Sequence, residues 1–145
     1  MEETIRDAAA WVNERRGTGW REQHLENALA AELRTRGLVV VQQPTVHATI
    51  VLSTGLEIQV GTLRPDLLVR TSAGNPNVGN FEQYYVELKT VAQGRGTSVS
   101  RAHMDQAQGY AAQTGVPCIA VIFYADRTVT TYTTAPADVQ MADGF

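Results

Sequence analysis

Apolar side chains recur at helical spacing in three stretches of the chain, and elsewhere they form short runs bounded by turn residues. The first pattern predicts amphipathic helices and the second predicts strands. The helices are expected over residues 2–16, 20–36 and 101–114. The strands are expected over residues 38–41, 46–52, 56–60, 63–70, 83–91, 118–124 and 128–133. This order of elements predicts an α/β fold in which helices flank a central mixed sheet.

The chain has 145 residues, which is the length of one domain. We therefore predict a single domain over residues 1–145, with an N-terminal helix (1–16), a core (17–134) and a tail (135–145).

Composition excludes several classes of protein. Cys118 is the only cysteine, which rules out an internal disulfide, a multi-cysteine zinc site and a cysteine-ligated iron–sulfur cluster. No apolar run reaches the ~18 residues of a membrane span, and the acidic start Met1-Glu2-Glu3 lacks the apolar region of a signal peptide. We therefore expect a cytoplasmic protein without a membrane partner. The chain also lacks the glycine motifs that bind nucleotide phosphates and any recognisable Ser/His or Cys/His catalytic motif.

The charged residues point to one place in the sequence. Fifteen acidic and 12 basic residues give a net charge of −3, which argues against a protein that coats nucleic acid. Lys89 is the only lysine among the basic residues, and it ends the sequence Glu87-Leu88-Lys89 in the strand predicted over 83–91. Alternation along a strand places Glu87 and Lys89 on the same face.

A second carboxylate is expected beside Glu87. Asp66 follows Pro65 in the strand predicted over 63–70, which is a candidate neighbour of the strand 83–91. Two close carboxylates do not both stay ionised without a cation between them, and oxygen ligands favour Mg²⁺ or Mn²⁺ over Zn²⁺. The alternative is a solvated face with a cross-strand ion pair. The presence of all three groups within apolar strands favours the metal site.

Two helices carry further polar pairs. Glu22 and Glu26 lie on the side of the apolar stripe of their helix, so they need either a metal or a nearby arginine as partner. Gln106 and Tyr110 share a face of the third helix, where they are candidates for contacts with a metal-bound water or a phosphate. A Gln-Tyr pair on an amphipathic helix also fits a purely structural role.

In this order and spacing, the motifs resemble those of the PD-(D/E)XK nuclease superfamily. The resemblance rests on Glu22/Glu26, Pro65-Asp66, Glu87-Leu88-Lys89 and Gln106–Tyr110. The last motif is similar to the QxxxY helix of RecB-type nuclease domains and phage exonucleases. Residues 17–37 resemble the opening of the small GxxxExxY proteins, although Leu25 stands where those have tyrosine, and the spacing of Glu26 from Leu29, Leu33 and Gly37 resembles archaeal Holliday-junction resolvases.

The resemblance implies a restriction-endonuclease-like fold and a metal centre. Asp66, Glu87 and the backbone carbonyl of Leu88 would bind Mg²⁺ or Mn²⁺. A glutamate of the second helix would complete the metal shell. We favour Glu26 for that role and retain Glu22.

The resemblance also implies a function and roles for the remaining residues. Lys89 would position the attacking water, with Gln106 and Tyr110 supporting the site. The implied activity is metal-dependent hydrolysis of DNA phosphodiester bonds, by endonuclease or exonuclease action, in phage biology or DNA repair. The alternative is a catalytically inactive module of the same fold that binds nucleic acid or a partner protein.

Four residues are candidate contacts to nucleic acid. Arg95 and Arg101 lie in and just after the connector 93–100, Arg21 precedes the second helix, and His103 lies one turn before Gln106. The connector also fits a mobile linker. Because the chain offers little basic surface to grip a duplex, a homo-oligomer or a larger repair or recombination complex is expected.

Overall fold

The computed structural model describes residues 1–71, 81–92 and 101–135, except for the side chains of residues 101 and 102. The helices are α1 (Glu2–Arg15), α2 (Glu22–Thr35) and α3 (Arg101–Thr114). The strands are β1 (Val39–Gln42), β2 (Val46–Val51), β3 (Glu57–Leu63), β4 (Leu67–Arg70), β5 (Gln83–Val91), β6 (Cys118–Tyr124) and β7 (Val129–Thr134). None of the helices in these ranges is long and apolar enough to cross a membrane.

A five-stranded sheet forms the centre of the fold, in the order β1-β4-β5-β6-β7. β5 and β6 run parallel and are joined through α3, whereas the other neighbouring strands are antiparallel. The predicted mixed sheet flanked by helices is confirmed. The strand predicted over 128–133 lies at the sheet edge, as expected.

Helices cover both faces of this sheet. On β6, Ile119, Val121 and Phe123 belong to the larger core with α1 and α2. Cys118 and Ala120 point the other way, into a smaller cluster that includes Tyr110 of α3. All seven residues of β6 are buried, which explains the continuous apolar run of this strand.

The strand predicted over residues 63–70 is wrong, because the chain divides there. β3 ends at Leu63 and β4 begins at Leu67, with Pro65 between them. Proline has no N–H to donate to a ladder, and it limits the backbone of the residue before it. The amide of Gln43 donates to the Asp66 carbonyl at 2.6 Å, which fixes this corner against the end of β1.

β2 and β3 do not join the central sheet. They form a separate two-stranded antiparallel sheet, and β1 pairs directly with β4. The sequence predicts this hairpin, but not its separation from the sheet. The predicted loop over 72–80, the connector over 93–100 and the tail from residue 136 lie outside the described residues.

Candidate active site

The register between β4 and β5 places Asp66 beside the Glu87-Leu88-Lys89 segment. Leu67, the first residue of β4, pairs with Val86, so Asp66 lies just before the start of β4, beside the part of β5 that extends past it. Asp66 Oδ2 accepts a hydrogen bond of 2.7 Å from the Leu88 amide. In a strand, the amide and carbonyl of one residue face the same neighbour, so the Leu88 carbonyl also lies on the Asp66 side.

Glu87 is the most buried acidic group of this region after Glu26. It is 5% exposed, and its Oε1 lies 3.9 Å from Lys89 Nζ. Burial raises the pKa of Glu87 to about 8, and the nearby Asp66 carboxylate adds to the rise, whereas Lys89 opposes it. Glu87 Oε2 is buried and has no hydrogen-bond partner within the described part of the chain. Lys89 therefore compensates this carboxyl only in part.

α2 brings a third carboxyl to the same point. Glu26 is 3% exposed, and its carboxyl lies close enough to that of Asp66 to raise the pKa of Asp66. Burial raises the pKa of Asp66 to about 6; the Leu88 amide opposes this shift, and Glu26 adds to it.

Two glutamines and an asparagine orient Glu26. The side-chain amides of Gln23 and Gln42 donate to Glu26 Oε2 at 3.1 and 3.0 Å. Both amides also donate to Asn27 Oδ1, at 3.1 and 2.9 Å. The sequence analysis missed these residues. Gln23, one turn before Glu26, could have been found from helix spacing, but Gln42 reaches Glu26 only through the packing of β1 on α2.

Glu22 lies near the same cluster, toward Lys89. It is half-buried, and burial raises its pKa, while Lys89 opposes that rise and Glu26 adds to it. The structure therefore brings both glutamates to the site. Glu26 lies beside Asp66, whereas Glu22 lies on the lysine side.

α3 contributes the predicted Gln-Tyr pair. Gln106 Nε2 donates to the Tyr110 hydroxyl at 3.0 Å. Burial and then the nearby Glu87 carboxyl raise the pKa of Tyr110 to about 12, so this phenol is neutral. His103 is half-buried one turn earlier; burial and Lys89 lower its pKa, and its Nδ1 has no partner among the residues described.

The predicted arginine contacts are less defined. Arg21 is exposed just before α2, on the Glu22 side of the site. Arg95 and the side chain of Arg101 lie outside what the structure describes. Two surface clefts, of about 200 and 240 Å³, lie elsewhere, beside Trp11 and around Arg16. Neither cleft is lined by a carboxylate of the site.

The donor set fits a divalent cation that prefers oxygen ligands. In the described ranges, no group of three or more His, Cys, Asp or Glu side chains is already arranged as a metal site. Asp66 nevertheless lies near both Glu26 and Glu87, and Glu87 Oε2 is a buried acceptor without a donor among the described residues. Mg²⁺ and Mn²⁺ are the cations that such carboxylate oxygens favour.

Comparison with known proteins identifies the family. A family comparison matches residues 1–133 to the PD-(D/E)XK nuclease superfamily. The chain belongs to the PD-(D/E)XK nuclease superfamily. Pro65-Asp66 and Glu87-Leu88-Lys89 supply the residues of the motif that names it. No curated protein gives a significant sequence match.

One solved structure agrees with the fold of this PD-(D/E)XK protein, and a second is reported for comparison. The crystal structure of SSO0001 is 18% identical over 83% of this chain, with a TM-score of 0.55, and shows the same fold. The match covers 56% of the SSO0001 chain. Hjc, a Holliday junction resolvase from Archaeoglobus fulgidus, is 17% identical over 82% of this chain and 78% of its own, with a TM-score of 0.44.

Proposed function

We propose that this protein is a nuclease that hydrolyses DNA phosphodiester bonds and depends on Mg²⁺ or Mn²⁺. The observation that carries the proposal is the convergence of Asp66, Glu87 and Lys89 where β4 begins beside β5, with Glu26 of α2 close to Asp66. Family membership supports nuclease chemistry in general. The choice of DNA and of the cation goes beyond it.

The charge of the site supports the dependence on a metal. Four carboxyl groups surround one lysine, and the lowered pKa of His103 keeps that imidazole neutral near pH 7. Without a cation, the site would repel a phosphodiester or would hold protons on its carboxyls. We assign Asp66, Glu87, the Leu88 carbonyl and Glu26 as the groups that would hold the metal. When bound, a divalent cation supplies Lewis-acid stabilisation of phosphate charge and lowers the pKa of its bound water.

Lys89 has the clearest catalytic role among the chain's own residues. Its ammonium group lies on the Glu87 face of β5, and it is one-quarter exposed, so it can reach a bound substrate. There it would donate a hydrogen bond to the attacking water and offset charge on the phosphate oxygens. The Glu87 carboxylate limits the freedom of this ammonium group and so positions it.

α3 would bind and orient the substrate. The Tyr110 hydroxyl accepts from Gln106 and keeps its own proton, so it can donate to an oxygen in the site. The neutral His103 imidazole, beside Lys89, can donate one hydrogen bond to a phosphate oxygen. Arg21, just before α2, would contact the DNA backbone farther along the bound DNA strand.

Cleavage of defined substrates tests the proposal. Labelled linear, circular and branched DNA would be incubated with the protein in Mg²⁺, Mn²⁺ or EDTA, beside Lys89→Ala and the distant control Arg6→Ala. We expect cleavage with either metal, none in EDTA, and a loss of at least ~100-fold in Lys89→Ala alone. Cleavage of circular DNA would indicate an endonuclease. Absence of cleavage on every substrate by a folded protein would contradict the proposal and favour a binding module; full activity of Lys89→Ala would contradict the assigned role.

A further inference from the structure

The β2–β3 hairpin has an apolar face that no described residue covers. Cross-strand pairing joins Ile50 to Ile58, and alternation places Leu52, Leu56 and Val60 on the same face as that pair. These five side chains are between 38% and 62% exposed. They account for roughly 450–500 Å² of apolar surface, which is in the upper range for the largest patch on a monomer.

The hairpin is held to the domain at its base, where Val46 and Leu63 pack inward, and through one hydrogen bond on the face opposite Ile50. Thr49 lies on that face, and its hydroxyl accepts a hydrogen bond of 3.0 Å from Gln113 of α3. The register shifts between Ala48 and Thr49, and such a bulge increases the twist of a two-stranded ribbon. Near Thr49 the hairpin is therefore tied to α3, and the five apolar side chains farther from its base stay exposed.

The lack of charge on the apolar face indicates what kind of partner it would bind. Residues 46–63 contain no lysine or arginine, so the hairpin cannot serve as an arm that grips phosphates. The single carboxylate of this segment, Glu57, pairs with Val51 and lies on the polar face. An uncharged face meets its own copy without like-charge repulsion, and a twofold axis pairs identical patches.

We propose that the protein forms a homodimer in which the apolar faces of two β2–β3 hairpins pack against each other. Two twisted two-stranded sheets would stack at about 10 Å and interdigitate their side chains. A standard interface covers about 800 Å² on each partner. The apolar face supplies more than half of that area, and the adjoining turn at residues 53–55 can supply more.

The hairpin offers a matched pair of variants for the test. Val60 lies on the apolar face and Val51 on the polar face, and both are 62% exposed. Lysine at either position adds the same charge and removes the same side chain, and neither change reaches the core. Circular-dichroism melting should therefore give wild-type transitions for both variants.

Molar mass in solution decides between the outcomes. By light scattering or sedimentation from about 1 to about 200 µM, the wild-type mass should rise from 15.8 kDa toward twice that value. Val51→Lys should behave as wild type, and Val60→Lys should raise the dimer Kd by at least ~100-fold.

Two outcomes would overturn the proposal. They are a wild-type monomer at every concentration and equal effects of the two lysine variants. If the wild-type protein is a monomer, the apolar face of the hairpin would instead be a candidate binding surface for a different protein. Because the readout is molar mass, the result is independent of whether the protein cleaves DNA.

Discussion

Replacing Glu87 by glutamine should stabilise the metal-free protein at neutral and alkaline pH. The pKa of Glu87 rises from 4.5 unfolded to about 8 folded, mainly through burial and then through Asp66. Between these values the folded state holds a proton that the unfolded state has released. The free energy of unfolding therefore carries no penalty from Glu87 below pH 4.5, and it falls as the pH rises to about 8. Glutamine keeps the shape of the side chain and removes this dependence.

The structure sets the size of the effect. Each pKa unit corresponds to about 1.4 kcal/mol, so the raised pKa of Glu87 sets an upper bound of about 4–5 kcal/mol. Relaxation around a buried carboxylate and entry of water reduce such penalties. We expect a gain of about 2–3 kcal/mol for Glu87→Gln at pH 8 in EDTA. For a chain of this length, that corresponds to an increase in Tm of about 5–10 °C.

Thermal melts of wild type, Glu87→Gln and the exposed control Glu14→Gln would be compared from pH 4 to pH 9 in EDTA. The gain for Glu87→Gln should vanish near pH 4, and Glu14→Gln should follow wild type throughout. Added Mg²⁺ should raise the wild-type Tm more than that of Glu87→Gln, because the variant lacks one ligand. A Glu87→Gln protein less stable than wild type at pH 8 without metal would refute the reasoning and assign Glu87 a structural role.

Two further predictions concern metal binding measured by calorimetry. Gln42→Leu should weaken Mg²⁺ affinity about tenfold, because Glu26 loses an orienting donor. The control Gln108→Leu, an exposed change on α3, should leave the affinity unchanged. Equal Mg²⁺ affinities of the two variants would show that Gln42 does not support the metal site. Mg²⁺ affinity of the wild type should rise from pH 6 to pH 8 by up to about tenfold per unit, with proton release, because the metal competes with the protons of Asp66 and Glu87; a flat profile would contradict their assignment as ligands.

Elements with strong local signals were predicted closely from the sequence. The bounds of β5, α3 and β6 agree with the predicted ranges, and the turn residues Gly115 and Pro117 separate the helical pattern of α3 from the apolar run of β6. The division between β3 and β4 was missed because the apolar residues on both sides of Pro65 form a pattern that predicts one strand. The separate β2–β3 sheet was missed because the pairing of β1 with β4 is a tertiary choice that local pattern does not encode.

The site was predictable where spacing along one element decides it. Strand alternation places Glu87 and Lys89 on one face, and the apolar stripe of α2 indicates which side Glu26 takes. The sequence analysis expected Asp66 to lie beside Glu87 because it assigned Asp66 to a candidate neighbouring strand. The register of β4 on β5 gives the actual position of Asp66. The contact of Gln42 with Glu26 depends on how a strand packs on a helix, and no sequence spacing fixes that distance.

The balance of charge distinguishes this cluster from an ion-pair network that serves stability. A stabilising network gives each buried carboxylate a donor, because an unpaired buried charge costs several kcal/mol. Here Glu87 has one cationic partner at 3.9 Å and one oxygen without a donor among the residues described, while the neighbouring Glu26 carboxyl raises the pKa of Asp66. Such an arrangement lowers the stability of the metal-free fold. The excess of buried carboxyls over basic groups is the property that a divalent cation would neutralise, so the same groups that destabilise the empty site favour a binding role for it.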